Sequence, residues 1–149
     1  MRRKSLATVK CPIAQTLERV GDQWSILILR DALKGASRFD EFQRSLDIAP
    51  NILTGRLNNL VEAGFLVRQR YSNHPPRDEY LLTERGQDFQ GVIQAIVGFG
   101  NRHFRDESGH VAFIDTDTGR EADPVTVDRH TGELIREPRF SFRADEEQA

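Results

Sequence analysis

The chain has 149 residues, is 38% hydrophobic and 30% charged, and carries a formal net charge of -2 at pH 7. That size suits one main domain with a modest core and a small appendage. Its one cysteine, Cys11, excludes an internal disulfide and a cysteine-built zinc site, and no apolar run is long enough to span a membrane. The basic start (Arg2, Arg3, Lys4) is not followed by the apolar run of a secretory signal, so a cytoplasmic protein is expected.

The near-neutral total hides an asymmetry. Residues 1–34 hold seven basic and three acidic groups, residues 35–85 seven of each, and residues 86–105 two and one, a net +5. Residues 106–149 hold five basic and twelve acidic groups, a net -7. The acidity lies in the tail, and affinity for phosphates follows local charge.

In chain order, residues 1–10 read as a flexible basic arm. Pro12 suits the first turn of a helix over 12–19, and Gly21 ends it. Asp22 is an N-cap for a helix over 23–34 that is apolar on most sides and therefore central. Trp24 and the phenylalanines read as core. Ser37 is expected to cap a short helix over 38–46 with Phe39 and Phe42 inward. A further helix starts at Pro50 and stops at Gly64. Leu53, Leu57, Leu60 and Val61 mark its buried face, and Asn51, Thr54, Gly55 and Asn58 its polar one.

After Gly64 the period changes to two. Strands are expected at 65–71 and 78–82, around a turn from Ser72 to Arg77. Thr83 and Glu84 start a helix expected to run to about Arg105. Its segment 91–100 holds three glycines and is apolar on more than one face. That pattern suits close approach of another backbone, and Val92, Ile93, Ala95, Ile96, Phe99 and Gly100 are its candidate dimer-interface residues. Over 109–143, Asp115, Thr118 and Gly119 recur thirteen residues later as Asp128, Thr131 and Gly132, which predicts two hairpin turns in a small β appendage. Residues 144–149 read as a disordered tail.

This order is mainly α with a small β part (α+β): a winged helix-turn-helix with a long C-terminal dimerisation helix and a β-hairpin appendage. It points to double-stranded DNA. The helix at Pro50 would enter the major groove, with Asn51, Thr54 and Asn58 toward bases or phosphates. Arg38 and Arg44 would clamp phosphates, and Arg68, Arg70 and Arg77 would line the wing. A homodimer would present two such helices one turn of DNA apart, roughly 34 Å, over an inverted repeat. Each assignment has a structural alternative. Arg56 would pair with Glu41 or Glu62, Arg68 and Arg70 would form a solvated strand face, and His74 would be a plain turn residue.

The run "CPIAQTLERVGDQWSILILRDAL", "RFDEF", "LTGRLNNLVEAGFLVRQRY" and "PPRDEYLLTERG" resembles the HxlR family of bacterial transcription regulators, relatives of the MarR winged-helix proteins. The likeness covers about 11–105 and is weak beyond 108. It implies a winged helix-turn-helix dimerised through terminal helices, a repressor or activator without catalytic activity. It implies a major-groove helix over 50–63 and a wing arginine at Arg77, and places Arg56 at the arginine of the Leu-Thr-x-Arg-Leu motif. Gly55 departs from the longer polar or basic residue usual in the family. Some relatives carry a cysteine-rich tail that this chain lacks, so neither metal nor cofactor is expected.

Cys11 follows Lys10 and precedes a helix, surroundings that activate cysteines toward oxidants and electrophiles. Some relatives use an N-terminal cysteine as such a switch. The alternative is a small buried apolar residue. A small-molecule effector between the dimer helices and the DNA-binding lobes is a further expectation.

Other patterns carry less. Asp117-Thr118-Gly119 matches an aspartic-protease tripeptide but lacks its apolar setting. Asp115-x-Asp117 departs from a calcium loop at Gly119 and Thr126, and His103 and His110 lack tight metal-ligand spacing. No nucleophile–base pair stands out, so no enzyme is expected. The competing function is a winged-helix protein-interaction module with the acidic tail as docking surface.

Overall fold

The computed structural model describes residues 4–136 and 138–143. The first four helices begin where a proline removes a free N–H or a carboxylate accepts one. Pro12, with no N–H to satisfy, opens α1 (Pro12–Val20). The Asp22 carboxylate accepts the Ser25 N–H at 2.9 Å and the Ser25 hydroxyl at 2.5 Å, and α2 (Gln23–Leu33) follows. α3 (Phe39–Leu46) starts one residue later than expected. Arg38 rather than Ser37 is its N-cap, and the capping acceptor is Glu41, which takes the Ser37 and Arg38 N–H groups at 2.8 and 2.9 Å. These two bonds hold the Glu41 carboxyl below its ordinary range, with the Arg38 and Arg44 charges adding to them. α4 (Pro50–Glu62) again opens on proline. Gly64, at φ +80, a region open to glycine, turns the chain out of it.

β1 (Leu66–Asn73) and β2 (Pro76–Leu82) form an antiparallel hairpin longer than expected. Asn73 pairs with Pro76, which leaves His74 and Pro75 at the tip. The register shifts between Arg70 and Ser72, so Tyr71 is the extra residue of a bulge. The segment before α3 joins this sheet. Ser37 C=O accepts the Tyr80 N–H at 2.7 Å, and Arg38 bridges to Glu79. Helical periodicity puts Arg38 in the helix and is blind to this pairing across the chain.

Val20, Ile28, Leu29, Phe42, Leu53, Leu57, Leu60 and Leu66 are at most 2% exposed and form the core. Full burial of such side chains stabilises by about 1.5–3 kcal/mol each before chain entropy is counted. The half-buried Trp24 sits at its margin.

The single helix expected over 84–105 is three: α5 (Glu84–Asp88), α6 (Gln90–His103) and α7 (Arg105–Ser108). At the first break, α5 and Phe89 pack against the segment that starts the hairpin. A Cβ on Gly86 would lie 2.2 Å from the Phe65 carbonyl oxygen, so α5 sits directly against the start of the hairpin. Phe89 is buried edge-on against Phe65, ring centroids 5.8 Å apart, and its carbonyl accepts both the Val92 and Ile93 N–H groups.

The chain divides into two units, Met1–Ile93 and Gln94–Ala149. The expected basic arm is partly pinned within the first. Ser5 Oγ and the Leu6 N–H donate to Glu18, and Gln15 Nε2 donates to the carbonyls of Leu6, Ala7 and Val9. Residues 1–3 and the 144–149 tail lie outside the described residues.

In the second unit β3 (Phe113–Ile114) pairs with β4 (Glu121–Ala122), and Val127 bridges to Leu134. The thirteen-residue repeat is the same turn made twice. Asp115 accepts the Thr118 hydroxyl and Asp128 the Thr131 hydroxyl, while Gly119 and Gly132 take φ of 71 and 72. Hydrogen bonds to Asp115, that from the Thr118 hydroxyl foremost, hold its carboxyl low. His103 stacks on Phe99 and His110 pairs with Glu121. Among the described residues, no helix is long and apolar enough to cross a membrane.

Candidate nucleic-acid interface

α4 buries Leu53, Leu57 and Leu60 and thereby turns Asn51, Thr54, Gly55, Asn58, Asn59 and Glu62 outward, all of them exposed. The Asn51 and Asn58 amides have no hydrogen bond among the described residues, so their donors and acceptors are unspent. The Thr54 hydroxyl donates to the Pro50 carbonyl at 2.9 Å, which leaves its lone pairs for a partner. Pro50 is exposed at the first turn.

Arg56 is placed differently from its neighbours. Its Nε lies 3.4 Å from Asp22 Oδ1, so it braces the start of α2, and the expected partners Glu41 and Glu62 are not used. Ile52, 41% exposed, and Asn59 also reach the outer face, and the sequence reading missed both. A strict helical wheel finds them. Ile52 escapes notice because apolar residues are assumed to be inside.

The remaining arginines differ in how far they are committed. Arg44 pairs with Asp40 at 3.1 Å, both more than 70% exposed, an ion pair of little energetic weight that a phosphate would readily displace. The Arg38 guanidinium sits 4.5 Å over the Tyr71 ring and ties the segment before α3 to the bulge. Arg68 and Arg70 share Asp78, at 2.6 and 3.0 Å. Arg70 and then Arg68 hold the Asp78 carboxyl low, and Asp78 in turn raises Arg68. The three groups together carry one positive charge. Arg77, opposite Ser72 near the tip, is exposed and has no ion-pair partner among the described residues.

Of the expected interface residues on α6, Val92, Ile96 and Phe99 are 43, 47 and 52% exposed, and Ala95 is also exposed. Ile93 is corrected: at 8% exposure it belongs to its own core. Gly100 is half-buried. A Cβ on Gly98 would meet the Pro124 carbonyl at 3.6 Å and an Arg102 nitrogen at 3.4 Å, so that glycine is closed over by its own unit. Ile13 and Leu17 on α1, 61 and 43% exposed, form an outward apolar pair that the sequence reading did not single out. Cys11 is the half-buried N-cap of α1, and its N–H donates to the Val9 carbonyl. An open hollow in the first unit is lined by Arg19, Phe65, Arg85, Phe89 and Val92 among others.

Three helices under a fourth that shows its polar face, followed by a two-stranded wing, define a winged helix-turn-helix protein. Residues 19–108 match the HxlR-like helix-turn-helix model. The chain belongs to that family of DNA-binding transcriptional regulators, which are not enzymes. It is 38% identical over 124 residues to the uncharacterized HTH-type transcriptional regulator Rv3095 of Mycobacterium tuberculosis, across 83% of this chain and 78% of that one.

Among solved structures, PA1607, reported as a candidate transcription factor, is 34% identical with a TM-score of 0.83 over 95% of this chain and 100% of its own. PA1374 of Pseudomonas aeruginosa is 47% identical with a TM-score of 0.66 over 93% and 95%. The redox regulator HypR in its reduced form is 30% identical with a TM-score of 0.59 over 64% and 98%. The first two likenesses extend past residue 108. The C-terminal unit therefore has structural counterparts where the motif resemblance had faded.

Proposed function

We propose that this protein is a homodimeric repressor that binds an inverted-repeat operator, with one α4 helix in each of two successive major grooves. The observation that carries this reading is the outer face of α4, where the Asn51 and Asn58 amides stand unspent on a well-packed helix. Arg77, unpaired among the described residues, supports a wing contact to phosphate, and the exposed Arg44 a further backbone contact. The exposed Val92, Ile96 and Phe99 on α6 support the dimer. A dimer seated on promoter DNA would exclude the transcription machinery.

The test is binding to the protein's own upstream promoter, with random duplex as competitor and salt varied. Selective binding to an inverted repeat is expected. Binding without preference would favour a winged-helix module that contacts proteins instead.

Regulation is proposed at two places. Cys11, half-buried rather than sealed in the core, would respond to oxidants or electrophiles through an adduct or an intersubunit disulfide. The likeness to a redox regulator supports that reading. Oxidant-dependent release from DNA that persists in Cys11→Ser would remove it. A small-molecule effector would occupy the hollow beside Phe65 and Phe89.

A further inference from the structure

The outer face of α4 is not uniformly polar, and it is not flat. With about 100° between successive residues, the direction opposite Leu53, Leu57 and Leu60 falls at Gly55 and Glu62. Gly55 thus sits near the middle of the exposed face, one turn from the helix start. A Cβ placed there would meet nothing within 4 Å. Asn51 and Asn58 flank it on one side, Ile52 and Asn59 on the other, and all four are exposed. The result is a notch the size of a missing side chain, walled on one side by an apolar residue that is 41% exposed.

A glycine in mid-helix destabilises it relative to alanine, and no neighbour among the described residues crowds a side chain here. Ile52, 41% exposed, places an apolar side chain on a helix face otherwise made of amides, a hydroxyl and a carboxylate. Both features suit a surface that brings the helix backbone close to a small apolar group. The floor of the major groove offers one such group, the C5-methyl of thymine.

Resting on the reading of α4 as the major-groove helix, the geometry points to Gly55 and Ile52 as a thymine reader. The notch at Gly55 receives the C5-methyl, and the Ile52 side chain packs against it. The flanking asparagines supply hydrogen bonds, while this pair specifies a thymine in each half-site by an apolar contact.

The experiment uses the full-length protein and the promoter duplex it selects. Each thymine is replaced in turn by deoxyuridine, which keeps the base pairing and removes only the methyl. One position in each half-site is expected to weaken wild-type binding about fourfold, the weight of one buried methyl-sized group. The same replacement is expected to leave Ile52→Ala unaffected, since the apolar wall is already gone.

Gly55→Ala is the second variant. It should melt at a higher temperature than wild type and still bind the operator more weakly, a combination that a misfolded protein does not give. Selective promoter binding that is indifferent to deoxyuridine at every position would overturn the thymine contact and leave the regulator reading standing. So would an Ile52→Ala variant that still loses fourfold at the sensitive position. Undiminished operator affinity in Gly55→Ala would overturn the notch. Failure of wild type to prefer any promoter sequence would overturn both readings together.

Discussion

At the scale of single residues, the arginines are distinguished by what already opposes them. Arg77 is exposed and unpaired among the described residues, whereas Arg68 and Arg70 divide one carboxylate between them. Arg77→Ala should weaken operator and random-duplex binding by the same factor. It should also lower the slope of log affinity against log salt by about 0.9 for each phosphate left without its arginine. Arg68→Ala should lower that slope less, because Arg68 is already bonded to Asp78 whereas Arg77 has no such partner among the described residues. Fluorescence anisotropy across a salt series measures both, and identical slopes for the two variants would sink the distinction. Arg56 belongs to a third class. Its bond to Asp22 is half-exposed, so Arg56→Ala should leave the salt slope unchanged and cost at most about 1 kcal/mol of stability.

At the scale of elements, starts and junctions decide where the helices can act. Glu41 closes the N-terminus of α3 and, through Ser37 and Arg38, holds the short segment that joins the wing. Glu41→Ala should cost about 1 kcal/mol near neutral pH. The pH dependence has a definite sign. A carboxyl whose pKa is lower in the folded state contributes fully above its ordinary pKa. That contribution disappears as pH falls through the lowered folded value. Urea melts at neutral and strongly acidic pH should therefore show the gap between wild type and variant close in acid. A gap that stays open would mean that the charge of Glu41 does not matter. The junction at α5 leaves no room for a side chain at Gly86. Gly86→Ala would drive a Cβ into the Phe65 carbonyl and should destabilise by about 1–3 kcal/mol. Gly91→Ala meets nothing within 4 Å and should be neutral or stabilising by up to about 1 kcal/mol. Thermal melts of the two glycine variants would separate a packing role from a merely tolerated one.

At the scale of the whole molecule, the exposed apolar residues on α6 predict association. Phe99→Glu would set a charge on the α6 surface through which the proposed dimer would form. It should give a folded monomer by sedimentation and circular dichroism. Operator affinity should fall sharply, because one half-site then binds without the help of the other. An unchanged mass would exclude this face and direct attention to Ile13 and Leu17 on α1.

Local chemistry makes much of this architecture readable in the sequence. Pro12, Asp22 and Pro50 mark helix starts because their effect operates within one turn. Gly64 marks a stop for the same reason, and the Asp-x-x-Thr-Gly turns repeat because each is closed by its own side chains. The leucine stripe of α4 identifies the buried face, and so puts Asn51, Thr54 and Asn58 on the outer one. What tertiary structure alone decided depends on groups far apart in the chain. Asp22 claims Arg56, Asp78 claims two arginines at once, Tyr71 receives Arg38, and Phe65 meets Phe89 where the long helix is interrupted. Periodicity reports the face on which a side chain lies, but which of several nearby charges or rings it meets is settled only when the elements pack.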